Sequence, residues 1–193
     1  MRLIGVYSKN RYEWFVTDWA CVLFGITSVP LYDTLGVENL SYCLNQTLIT
    51  TIFATNATIK TFAKLKEVGR LKLVITYDQL DEESKSILKQ HNLDCIDFWE
   101  AVKRGSDLKD LSDTVVNVGI NDCYTFSYTS GTTGPPKGAM IAHRNMLGCV
   151  NTFSQHEDVR FNKDDRYLSY LPLPHLMERS VTLTMFYSGA YVV

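Results

Sequence analysis

The stretch Leu3–Tyr32, LIGVYSKNRYEWFVTDWACVLFGITSVPLY, carries two β-rich apolar runs, Leu3–Tyr7 and Thr27–Tyr32, on either side of a segment with helical period. Between them, from Arg11 to Gly25, Phe15, Trp19, Val22 and Ile26 recur at steps of three and four, which predicts one apolar stripe along a helix. Gly25 suits that helix's C-terminal end, where a backbone of positive φ is commonly needed. Strand, helix, strand in this order is the unit of a parallel sheet, because parallel neighbours need a crossover connection.

The unit repeats outward. Leu40, Cys43 and Leu44 mark the inner face of a second helix, and Thr50–Thr55 reads as a third strand. A third helix is expected over Ala57–Val68, with Ile59, Phe62, Ala63 and Leu65 apolar, and Leu71–Thr76 as the next strand. The expected fold is α/β with a doubly wound, largely parallel sheet. From Asp78 to Asn121 the pattern weakens and charge rises, so surface helices and loops are expected there. No Gly/Ser-rich or Pro-rich linker marks a domain boundary within residues 1–193.

Composition sets the class. An apolar share of 46% with 21% charged residues is that of a chain able to form a packed core, and it argues against disorder or a disulfide scaffold. A formal net charge of -2 provides no broad positive field, so no nucleic-acid partner is expected. The cysteines Cys21, Cys43, Cys95, Cys123 and Cys149 are scattered without a C-x-x-C pair, and read as buried reduced thiols on the cytosolic side. The opening MRLIGVYSKNRYEW is broken by Lys9, Arg11 and Glu13 and is not expected to act as a signal peptide. Val181–Val193 is apolar but shorter than the roughly 20 residues of a spanning helix, and is expected as interior structure.

The chemistry concentrates in Tyr124–Met140, YTFSYTSGTTGPPKGAM, where an alternating aromatic and hydroxyl strand gives way to a run of Thr, Ser and Gly. Gly131, Gly134 and Gly138 allow positive φ and close backbone approach, so successive N–H groups can converge on phosphate oxygens. Thr129, Ser130, Thr132 and Thr133 add hydroxyl donors, and Lys137 adds a mobile positive charge. A surface hairpin turn is the plain alternative for any single Gly-Thr pair, though not for the whole string. A Walker A loop fails on register. Counting from Gly131 puts Pro136 where Gly is required and Gly138 where the magnesium-binding hydroxyl belongs.

SYTSGTTGPPKGAMIAHRN resembles the signature loop of the adenylate-forming superfamily, which includes acyl-CoA synthetases, luciferases and the adenylation domains of peptide synthetases. YSKNR, VPLYDTLG and LNQT, together with YLPLPHLMER, resemble the long-chain fatty acyl-CoA synthetases within it. The resemblance implies that residues 1–193 are part of an N-terminal adenylating domain, with a glycine-rich phosphate-binding hairpin loop and without the C-terminal domain. It implies an ATP-dependent, AMP-forming ligation in which a fatty carboxylate attacks the α-phosphorus, expels pyrophosphate, and is then transferred to coenzyme A.

The residues expected to hold the ATP phosphates, with Mg2+ neutralising further charge, are Thr129, Ser130, Gly131, Thr132, Thr133, Gly134 and Lys137; Lys137 is the expected catalytic group. His175 is expected beside the acyl and adenylate pocket. Departures at Pro174, where a small residue is common in the family, and at Met177, where an aromatic is common, bear on the shape of that pocket. Glu178 and Arg179 read as a local ion pair or cap as readily as ligand contacts, Trp14 and Trp19 as packing residues, and His143–Asn145 as the start of a helix behind the loop. The family's later adenine, ribose and magnesium motifs and its C-terminal lysine lie beyond Val193, so the 193 residues are expected to be inactive alone. Two other readings stand beside this one: a non-catalytic nucleotide- or partner-binding module, and a ligase for an aryl or amino acid. The resemblance also implies peripheral association of the full-length protein with the endoplasmic reticulum or another intracellular membrane.

Overall fold

The computed structural model describes residues 1–108, 116–129, 134–156, 158 and 160–193. Its first β-α-β unit comprises β1 (Arg2–Tyr7), α1 (Tyr12–Leu23) and β2 (Ile26–Leu31). There follow α2 (Val37–Thr47), β3 (Thr51–Ala54), the single turn α3 (Asn56–Ile59) running into a 3-10 helix at Lys60–Lys64, β4 (Leu73–Thr76), α4 (Glu82–Gln90), β5 (Asp94–Asp97) and α5 (Phe98–Ser106). The second part holds β6 (Cys123–Thr129), β7 (Lys137–Ala142), α6 (His143–Ser154), β8 (Arg166–Tyr167), α7 (Leu176–Tyr187) and β9 (Tyr191–Val192).

Among the described residues seven strands form one sheet in the order β5-β4-β3-β1-β2-β6-β7. Every neighbouring pair is parallel except β6 and β7. From β1 the chain winds one way to β2, then crosses back to β3 and onward to β5, so α1 and α5 fall on one face and α2, α3 and α4 on the other. Alternate side chains show the two layers. Tyr7, Ile52 and Val74 face a core shared with Leu40, Cys43 and Leu44 of α2 and Ile87 of α4. Their neighbours Val6, Phe53 and Ile75 face Trp14 of α1, Phe98 of α5 and Leu173. Strands buried on both sides must be apolar almost throughout, which is why β1 and β2 read as continuous runs.

The doubly wound, largely parallel reading therefore holds, and three local expectations do not. Residues 78–121 contain β5 as well as helices; its sequence DCID has a polar residue at each end, and only backbone pairing with β4 marks it as an edge strand. The third helix stops after one turn. The Thr58 hydroxyl donates to the Tyr7 carbonyl at 2.8 Å and the Thr61 hydroxyl to the Thr58 carbonyl at 2.7 Å, drawing the chain into a tighter turn, and Ala63 is exposed. On α1 the buried face is Trp14, Thr17, Asp18 and Cys21, not the predicted stripe. Asp18 is drawn inward by a buried guanidinium described below, while Phe15 and Trp19 meet the Phe186 ring edge-on, each at 5.7 Å between centroids.

All five cysteines are free; Cys21 and Cys43 are buried as expected, Cys95 and Cys123 are half-buried and Cys149 is exposed. Within Val181–Val193, Thr182, Thr184 and Met185 are buried, whereas Tyr187, Tyr191 and Val193 are exposed. Among the described residues no helix is long and apolar enough to cross a membrane.

Candidate functional site

The sheet's carboxyl edge is the natural place to look for a site, because ligands of doubly wound folds bind where the strand order reverses. At the ends of β1, β3 and β4 that crevice is filled by the chain itself. Arg11 donates to Glu13 at 2.8 Å and to Asp78 at 2.7 Å, and the other Asp78 oxygen accepts the Asn56 N–H at 2.9 Å. The hydrogen bonds to Glu13, against a smaller opposing effect of burial, raise the Arg11 guanidinium's proton affinity, and the same pair lowers the Glu13 carboxyl. The open features lie on the other side of β1, on β2, β6 and β7.

β6 and β7 form the hairpin around the glycine-rich string. Thr129 and Lys137 are directly opposed at its mouth, which sets their side chains on the same face, and the Thr129 hydroxyl donates to the Lys137 carbonyl at 3.4 Å. The Lys137 backbone is thus held in a ladder while its side chain is exposed. Gly134 has φ +96°, a backbone that favours glycine, and among the described residues nothing lies within 4 Å of where a Cβ would stand. Ser130, Gly131, Thr132 and Thr133 lie outside the described residues.

Gly138 proves different from the expectation. It sits in β7 opposite Tyr128, and a Cβ there would lie 2.3 Å from Cε1 of the Phe126 ring. Its missing side chain makes room for an aromatic of β6, not for phosphate.

His175 is the N-cap of α7. Its Nδ1 accepts the Met177 N–H at 3.1 Å, which leaves the proton on Nε2, and the ring is exposed. Two residues earlier Leu173 is fully buried, and its N–H donates to Asn10 Oδ1 at 2.8 Å. Asn10 Nδ2 in turn donates to the Leu171 carbonyl at 2.7 Å. The YSKNR and YLPLPHLMER segments are therefore in direct contact. Between them opens a cleft of about 310 Å³ with Lys9 and Asp33 on one wall and Ser169, Tyr170 and Pro172 on the other.

One turn into α7, Arg179 joins the two halves. It is 1% exposed and donates to Asp18 at 2.5 Å, to Thr125 Oγ1 of β6 at 2.8 Å and to Ser28 Oγ of β2 at 3.2 Å. Its guanidinium carbon lies 4.4 Å from the Tyr124 ring centroid and 5.3 Å from that of Trp14, and the Tyr124 hydroxyl donates to the other Asp18 oxygen at 2.6 Å. Burial works against the guanidinium's charge, but Asp18 and Tyr124 outweigh it and raise its proton affinity. Of the readings open for Glu178 and Arg179, the local ion pair is not formed: Arg179 reaches a carboxylate 161 positions away, and Glu178 accepts from the Tyr167 hydroxyl at 2.7 Å.

Arg179 crosses β6 at Thr125, about 13 Å along the strand from Thr129 and about 6 Å along α7 from His175, by strand and helix rises. The hairpin and His175 are thus carried by elements locked to each other through one buried ion pair. Asn10, Asp18 and Arg179 were not assigned these roles from sequence. The one available signal was Asp18, a lone carboxylate in the midst of the apolar residues of α1.

A family model described as AMP-binding enzyme matches residues 2–193. The chain belongs to the AMP-binding enzyme family. It is 35% identical over 190 residues to fatty acyl-CoA synthetase B of Dictyostelium discoideum, covering 98% of this chain and 28% of that protein. It is 32% identical over 191 residues to long chain acyl-CoA synthetase 7, peroxisomal, of Arabidopsis thaliana, covering 98% of this chain and 26% of that one. The chain thus spans 26–28% of the length of these curated relatives. Among solved structures, the A domain of carboxylic acid reductase from Segniliparus rugosus, in complex with AMP and a co-purified carboxylic acid, superposes with a TM-score of 0.79 at 20% identity over 100% of this chain and 33% of that one. ATP-bound MatB from Rhodopseudomonas palustris gives 0.70 at 16%, over 100% of this chain and 35% of that one. At these identities the likeness establishes the fold, that of an AMP-binding adenylation domain.

Proposed function

We propose that the protein containing this chain is a long-chain fatty acid:CoA ligase, ATP-dependent and AMP-forming, and that residues 1–193 are part of its N-terminal adenylating domain. The observation that carries this reading is the hairpin. An exposed ammonium group, Lys137, and a hydroxyl, Thr129, share one face at the mouth of a loop whose Gly134 leaves the backbone open.

In the first step a carboxylate oxygen of the fatty acid attacks the α-phosphorus of ATP, and pyrophosphate departs with the electron pair of the broken P–O bond. In the second the sulfur of coenzyme A attacks the acyl carbonyl and AMP departs. Bringing an anion to a polyanion is the obstacle, so positioning and charge neutralisation are the protein's contribution. Lys137 neutralises charge on the β- and γ-phosphates, and Thr129 and Gly134, with Ser130–Thr133, supply hydroxyls and N–H groups around them. His175 has its Nδ1 engaged by the helix end, and its role in this reading is to offer Nε2–H to the acyl and adenylate pocket. Mg2+ entering with ATP would be held chiefly by the phosphates themselves and would neutralise further charge there; among the described residues no group of three or more His, Cys, Asp or Glu side chains is placed to hold a metal ion.

The similarity to proteins named as a fatty acyl-CoA synthetase and a long chain acyl-CoA synthetase favours a fatty acid over an aryl or amino acid as substrate. A panel of carboxylic acids tests this: full-length protein with ATP and Mg2+ releases pyrophosphate fastest with long-chain fatty acids. Equal or faster release with aryl or amino acids refutes it. The 193 residues alone, a minor share of such an enzyme's length, bind ATP weakly without turnover. The proposed location is the cytosolic side of an intracellular membrane, held peripherally.

A further inference from the structure

The turn leading into His175 has few ways of holding itself. Pro172 and Pro174 lack N–H groups, so between Leu171 and His175 the donors that remain for fixing the turn are those of Leu173 and His175. The His175 N–H donates to the Pro172 carbonyl at 2.8 Å, closing the turn on itself. The Leu173 N–H is satisfied from outside, by Asn10 Oδ1 at 2.8 Å. The other end of the same amide grips the preceding residues, with Nδ2 2.7 Å from the Leu171 carbonyl, 3.2 Å from the Ser169 carbonyl and 3.3 Å from the Ser169 hydroxyl.

Asn10 is well placed to act as a fixed point. It lies three residues past the end of β1 and two past Ser8, which is 1% exposed and whose hydroxyl donates to the Lys9 carbonyl at 2.8 Å. The Leu173 side chain, fully buried among Val6, Trp14, Tyr77 and Phe98, pins the turn from below. Both ends of one side-chain amide are thus spent on the segment two to six residues ahead of His175, three of the four contacts being to backbone atoms.

We infer that Asn10 is a positioning residue for His175: by pairing with the backbone of residues 169–173 it sets where α7 begins and where the imidazole points. This rests on the proposed role of His175 at the acyl and adenylate pocket. Without Asn10 the Leu173 N–H is buried unpaired, and the turn relaxes to find another acceptor, carrying His175 with it.

The test is a double-mutant cycle in the full-length protein with Asn10→Ala and His175→Ala, read as kcat/KM for fatty acid. Asn10→Ala alone lowers it about tenfold, the scale of one lost buried hydrogen bond, with KM for ATP nearly unchanged. In the His175→Ala background the same substitution costs less than about twofold, because a residue acting through another adds nothing once that residue is gone. An equal loss in both backgrounds, or no loss in the first, overturns the inference. A second readout needs no turnover: the His175 ring signals, observed by NMR in ring-labelled protein, shift or broaden in Asn10→Ala, and unchanged signals overturn it. These signals test the clamp even should the protein activate no fatty acid, an outcome that would count against the proposed function instead. Where Asn10→Ala does not fold, Asn10→Ser goes through the same cycle, and failure of both to fold assigns Asn10 to the fold alone and overturns the inference.

Discussion

Replacing Asp18 or Arg179 singly should damage the protein more than replacing both. Arg179 is 1% exposed and Asp18 4%, and the hydroxyls of Ser28, Thr125 and Tyr124 complete the network. Asp18→Leu leaves a buried guanidinium with two hydroxyls as hydrogen-bond acceptors and no counter-charge, and its Nε already has no partner among the described residues. Arg179→Met leaves a buried carboxylate with two hydroxyl donors. Breaking a buried pair from one side costs about 3–5 kcal/mol, whereas exchanging both members for apolar residues of similar volume is often neutral. At a urea dependence of about 2 kcal/mol per M, each single variant should lose about 2 M of denaturation midpoint. The double variant Asp18→Leu/Arg179→Met should recover most of it. Tryptophan fluorescence is the assay, since the Trp14 ring centroid lies 5.3 Å from the guanidinium carbon and reports its surroundings. Single variants that keep the wild-type midpoint, or a double variant that loses the sum of both, would refute the reasoning.

Three further outcomes follow from other parts of the fold. Gly138→Ala should destabilise by about 1–3 kcal/mol through overpacking against Phe126, and adding Phe126→Leu should relieve much of this; thermal melts showing no loss would contradict it. His143, whose titration is lowered by burial, should show an NMR midpoint below the ordinary histidine value of about 6.5. Because the unfolded chain then binds the proton more readily, His143 lets stability fall as pH drops below that value, and His143→Gln should flatten this limb. Cys21 and Cys43, each pushed up to about 12 by burial, should resist iodoacetamide in native protein and react on denaturation, as read by peptide mass mapping.

Where the sequence and the structure agree, the reason is burial on both faces of a parallel sheet. β1 stands out as an apolar run and β2 as a buried run interrupted only by the small hydroxyls of Thr27 and Ser28, and Leu40, Cys43 and Leu44 place α2 correctly because their helix touches one layer only. β5 was missed because an edge strand needs little apolar content when its pairing is carried by the backbone. The face of α1 was misread for a related reason. A polar side chain such as Asp18 scores against burial unless its partner is known, and Arg179 lies 161 positions away.

The candidate site shows the same division. Lys137, Thr129 and Gly134 could be singled out because glycines and hydroxyls in that density serve no core. Gly138 looked identical in the string, and only the Phe126 ring shows that its role is packing. Asn10 carried no local signal, since its partners are backbone atoms of a segment distant in the chain.

The central claim, that the β6–β7 hairpin cradles a triphosphate, is met most directly by pyrophosphate release from the full-length protein and its Lys137→Ala variant with ATP varied at saturating palmitate. The side chain is exposed, so the variant should unfold within about 0.5 kcal/mol of wild type. Its kcat/KM for ATP should fall about a hundredfold or more, the scale of one electrostatic group lost at a charged transition state. Equal kcat/KM for ATP in the two proteins would contradict the account.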